Sequence, residues 1–177
     1  MKPSNPPIDE VSLMFEAARS FIGGAKIIIA SDGIEEDNVA RQPTLPVIVC
    51  STIAIEIELK TLLKLHNLPR PSGDGHDLKL LFEALPPELQ LELLQFQVTY
   101  TGIREEVART ILYEGKDVFK TWRYPYEEKH TLETLEAAPA FLFGFALALS
   151  DYIKSKVKIE RSENGWIPMA PAKLHEN

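Results

Sequence analysis

Apolar residues recur at helical rather than alternating spacing along most of this chain, and that pattern defines its elements. From Ile8 onward, Val11, Phe15, Ala18 and Ile22 form the buried stripe of an amphipathic helix, with Asp9 and Glu10 at its positive end. Gly23-Gly24 weakens or bends this helix. The "KIIIA" that follows suits a final turn or a short strand, and we read it as helix. "SDGIEEDNVARQPTLP" is then a polar loop, and Thr44 to Pro46 marks a helix start, where proline is tolerated in the first turn. The apolar run after it extends for about 20 residues, too long for a strand and roughly 30 Å as a helix. Cys50, Ile53, Ala54, Ile57 and Thr61 share one face of it; Ile48, Ile55, Leu59 and Leu62 share another. A helix apolar on two sides is central, enclosed by its neighbours or shared with a partner chain.

After the loop "LPRPSGDG", Leu78, Leu81, Phe82 and Leu85 give the stripe of a short helix that Pro86-Pro87 ends. Leu89, Leu93, Phe96, Tyr100, Ile103 and Val107 then continue in steps of four and three, predicting one long helix to near Gly115. "KDVFKTWRYPYEEKH" is aromatic and irregular. Thr131 is placed to cap a last helix through Lys156, in which Pro139 is either a kink or the true start. The elements predict an all-α bundle of four to five helices over residues 8–156. A flexible arm, 1–7, precedes it and a non-periodic tail, 157–177, follows.

Composition narrows the function. The chain has 177 residues, enough for one domain with a substantial core, and its 45% hydrophobic content is that of a globular protein. A net charge of −7 argues against broad, sequence-independent nucleic-acid binding and leaves room only for a local basic site. The single cysteine, Cys50, lies in an apolar run, so no intrachain disulfide forms and the thiol reads as core filler. The N-terminus has no apolar signal region, and the uncharged stretch from Ala137 to Ser150 is too short to span a bilayer. These features predict a soluble, cytoplasmic protein without membrane contact.

Three stretches offer chemistry. Glu56 and Lys60 stand four apart on the central helix, so they either pair to orient it or line a polar pocket. In "GHDL", Asp77 suits the start of a helix, and His76 is either the last loop residue or part of a phosphate or proton-transfer site with Lys60 and Glu56. In "TWRYPYEEKH", Arg123 lies between Trp122 and Tyr124, where a guanidinium can stack and offer its fork to a carboxylate or phosphate, or can pair with a structural acid. No Cys/His set has metal-site spacing, and no phosphate loop of the Walker type occurs. Neither a metal nor a cofactor is expected.

Taken in order, "AIEIELKTLL", "GHDLKLLFEAL" and "WRYPYE" on long helices resemble the HEPN family of small helical proteins, over roughly Thr44 to Lys156. The resemblance implies an up-and-down bundle, a homodimer, and a nucleotide or RNA as ligand. Glu56, Lys60, His76, Asp77 and Arg123 are then the polar cluster that binds it. Many members of the family cleave RNA without metal, using an Arg and a His with four to six residues between them. Arg70 and His76 have five residues between them, and Arg123 and His130 have six. For such an enzyme, His130 or His76 serves as acid or base toward a 2′-hydroxyl while Arg123 steadies the phosphate charge. Pro71 and Pro125 interrupt both pairs, and Tyr124 stands where an Asn or Asp often follows the family's arginine. The expectation is therefore a binding or regulatory module without efficient catalysis. The alternatives are a metal-independent endoribonuclease of the toxin or defence type, with an antitoxin or nucleotidyltransferase as partner, and a purely structural dimerisation domain.

Overall fold

The structure is a computed structural model and describes residues 10–30, 44–72, 76–114 and 132–156. The described residues form six α-helices: α1 (Glu10–Ala30), α2 (Thr44–Leu65), α3 (Leu78–Glu83), α4 (Pro87–Thr101), α5 (Glu105–Glu114) and α6 (Leu132–Lys156). None of them is in a strand, and none of the helices is long and apolar enough to cross a membrane. The all-α expectation holds.

Helix α2 is the centre. It packs against α1, α3 and α6, and α6 packs in turn against α4. Both predicted faces of α2 are engaged: Ile48, Ile55, Leu59 and Leu62 are buried, as are Ala54 and Thr61, while Cys50, Ile53 and Ile57 are half-buried. Around them close Phe15 and Ile22 of α1, Leu78, Leu81 and Phe82 of α3, and Phe141, Phe145 and Leu149 of α6. Each such side chain contributes about 1.5–3 kcal/mol by leaving water. Burial also pushes the Cys50 thiol up, which makes it a poor nucleophile and agrees with core filler.

The ends of α2 and α3 follow from single residues. Asn67 takes the left-handed conformation (φ 51°), and the Leu68 N–H reaches back to the Leu63 carbonyl while the Asn67 N–H reaches Lys64. This satisfies the carbonyls at the end of α2 and turns the chain towards α3. Asp77 caps α3 as predicted, accepting from the Leu80 N–H at 3.1 Å.

Three expectations are tested at the helix ends. "KIIIA" is helical, and α1 runs to Ala30. Pro139 lies inside α6 and does not begin it. The long helix predicted from Leu89 to near Gly115 is two helices, because Gly102 adopts φ 65° and ends α4, its N–H bonded to the Val98 carbonyl. A local network holds this break. Buried Gln97 donates to the Ile103 carbonyl at 2.8 Å, while the Thr101 hydroxyl donates to Gln97 Oε1 at 2.6 Å and accepts from the Ile103 N–H. The four-three spacing across the break is therefore not one seam, and Tyr100 and Val107 are exposed. The arm 1–7, the tail 157–177 and Thr131 lie outside the described residues.

Candidate functional site

The loop between α2 and α3 brings the sequence candidates together. Asn67 reverses the chain after α2, and the Asp77 cap fixes where α3 begins, so His76 comes to stand over the side of α2. Glu56 and Lys60, four apart on that helix, share the same side. The Glu56 carboxylate joins them: Oε1 accepts from Lys60 Nζ at 2.5 Å, and Oε2 lies 2.9 Å from His76 Nδ1.

Exposure rises across the three. The Glu56 side chain retains 9% of its accessible surface, Lys60 17% and His76 60%. A carboxylate taken so far out of water needs its partners, and the Lys60 ammonium supplies the charge that makes its burial tolerable. Held by Glu56, His76 stands exposed at the edge of the cluster, where a solute can reach it, and Lys60 lies deeper. Of the remaining candidates, Asp77 is occupied as the α3 cap, and Arg123 and His130 lie outside the described residues. Arg70 is exposed on the loop itself.

A second acid on α2 escaped the sequence reading. Glu58 is wholly buried, and neither carboxylate oxygen makes a hydrogen bond of good geometry among the described residues. Burial pushes its carboxyl well above the usual carboxylate range. The Ser150 hydroxyl offsets part of this, and the charge of Asp151 adds to it. The signal was present in the sequence: Glu58 is three residues from Ile55 and four from Leu62, on one of the two apolar faces. Nearby in sequence, Ser51 and Thr52 are buried with hydroxyls that also find no partner among the described residues.

Elsewhere the charged groups act as ties between helices. Glu92 of α4 accepts from Tyr152 at 2.7 Å and Lys156 at 2.9 Å on α6; these bonds hold its carboxyl below the usual range, while burial and then the bond to Glu92 push the Tyr152 phenol up. Tyr100 donates to Asp151 at 2.7 Å, and Lys64 pairs with Glu10 between α2 and α1. Among the described residues no group of three His, Cys, Asp or Glu side chains has the arrangement of a metal site. Comparison with protein-family models, with curated proteins and with solved structures gave no match.

Proposed function

We propose that the chain is a HEPN-like helical module that binds a nucleotide or RNA through the polar cluster at the α2–α3 loop, without efficient catalysis. The observation behind this reading is the shared carboxylate of Glu56, which holds Lys60 at 2.5 Å and His76 at 2.9 Å from separate chain segments. A cluster that spans two segments is pre-organised, so a phosphate meeting Lys60 and His76 orders few additional groups. Glu56 also limits the affinity, because it already balances much of the positive charge. Recognition of a defined ligand fits that balance, and avid binding to any polyanion does not, in keeping with the overall charge of −7. Arg123, which the resemblance adds to the cluster, provides a second cation in this reading.

Thermal-shift titration of the full chain with nucleotides and short RNAs tests it. Stabilisation by one of them, reduced in Lys60→Ala, His76→Ala and Arg123→Ala, is the expected result. A metal-free cleavage assay run on the same RNAs separates the nuclease alternative, which requires turnover that His130→Ala abolishes. If no nucleotide or RNA stabilises the chain, the binding reading fails and the cluster serves only to fasten the loop to α2.

A further inference from the structure

A second feature shares no residue with the Glu56 cluster. Helices α1 and α6 face each other across a groove of about 220 Å³. Each helix contributes one stripe at i, i+3, i+4 and i+7: Arg19, Ile22, Gly23 and Lys26 from α1, and Leu147, Ser150, Asp151 and Lys154 from α6. The volume is below that of pockets for drug-sized ligands, which begin at about 300 Å³. A small solute matches it.

The groove is electropositive in an acidic protein. Arg19, Lys26 and Lys154 line it against a single acid among the described residues, Asp151, which accepts a hydrogen bond from Tyr100 at 2.7 Å. Arg19 also approaches Glu16 at 3.8 Å and lies over the Phe15 ring. Neither Lys26 nor Lys154 has an ion-pair partner among the described residues. Three exposed cations against one acid among the described lining residues leave net positive charge along the groove. Such charge attracts anions more strongly in a cleft than on an open surface.

Gly23 is the independent observation. A Cβ built there meets no atom within 4 Å, so no neighbouring helix requires glycine at this position. Its conformation is helical, and glycine inside a helix costs stability relative to alanine. What the missing side chain provides is space in the groove, between Arg19 and Lys26 and across from the nearly buried Ser150.

We propose that the α1–α6 groove binds a small phosphate-bearing anion, with Lys26, Lys154 and Arg19 supplying the charge and Gly23 the room. The phosphate sits between the two lysines, and Ile22 and Leu147 offer an apolar wall to whatever substituent it bears.

Inorganic phosphate is the probe, titrated into the full chain by calorimetry and by thermal shift, against sodium acetate and sodium chloride at equal ionic strength. Phosphate is expected to stabilise the protein where acetate and chloride do not. The Lys26→Met/Lys154→Met pair is expected to weaken phosphate by at least about tenfold, because two charge-assisted contacts are lost. Gly23→Met fills the space without changing any charge and is expected to weaken phosphate as well. Far-UV circular dichroism checks that both variants stay helical. An equal response to acetate, or phosphate affinity unchanged in either variant, overturns the proposal. Lys60→Ala and His76→Ala keep the phosphate response at the groove whatever the nucleotide titrations give, so the two readings stand or fall separately.

Discussion

Replacing Glu58 by glutamine should change the pH dependence of stability more than stability itself. The acid is wholly buried in α2 without a good hydrogen bond among the described residues, and burial raises its carboxyl well above the usual range. In the unfolded chain the same group titrates near the ordinary glutamate value of about 4.3. Below that value both states hold the proton, and Glu58 contributes nothing to the pH dependence. Above it, the unfolded chain releases its proton while the native chain keeps it. The native state then binds more protons, and stability falls as pH rises by about 1.4 kcal/mol per pH unit. The fall continues until the native group also ionises. Glutamine has nearly the same shape and no proton to lose, so Glu58→Gln lacks this slope. Its unpartnered amide costs a constant amount at every pH. Urea unfolding of both proteins at half-unit steps from about pH 4 to pH 7.5 measures the difference, in which the contributions of all other carboxylates cancel. The gap between variant and wild type should tilt steadily in favour of the variant as pH rises. Two parallel curves would refute the reasoning, since they would mean that Glu58 ionises in the folded protein as readily as in the unfolded one.

Close packing gives a second prediction. A Cβ at Gly144 would stand 2.5 Å from Thr101 Cγ2, and Thr101 is fixed by bonds to Gln97 and Ile103, so Gly144→Ala should cost about 1–3 kcal/mol in denaturant melts. Thr101→Ser keeps the hydroxyl and removes the clashing methyl, and should recover most of that loss in the double variant. At Gly23 the space is open and the backbone helical, so Gly23→Ala should raise stability by about 0.5–1 kcal/mol by thermal melt. At Gly102 the φ of 65° reverses the sign, and Gly102→Ala should lower stability by roughly 1 kcal/mol. Asp77→Ala removes the α3 cap and should cost about 0.5–2 kcal/mol in the same measurement, while Asp77→Asn should cost little.

The central helix was legible because its signal is long: two apolar faces over 22 residues leave no other element. Asp77 was legible for a local reason, since a cap needs only its own helix. The break at Gly102 was not read, because the apolar spacing from Phe96 to Val107 survives it by coincidence. A lone glycine in a helical pattern is ambiguous until the partners of Gln97 and Thr101 are known. Within the candidate site, Glu56 and Lys60 could be paired from spacing alone. That His76 reaches Glu56 depends on how the 11 residues between Leu65 and Asp77 bring the chain back, a tertiary fact that begins at Asn67. The α1–α6 groove was invisible for the same reason. Arg19, Lys26 and Lys154 look like ordinary solvated charges until two helices distant in sequence are laid side by side.

The shared carboxylate of Glu56 has a consequence for how this sequence can drift. Lys60 and His76 are spokes on one hub. Losing His76 leaves Glu56 with the Lys60 ammonium, whereas losing Lys60 leaves a nearly buried carboxylate beside a largely exposed imidazole. The order of substitution therefore matters. A lineage can surrender His76 first and survive the step, because Lys60 still balances the buried carboxylate, but it cannot surrender Lys60 while Glu56 remains. Across related chains, His76 should be the first of the three to vary, and Glu56 and Lys60 should disappear together.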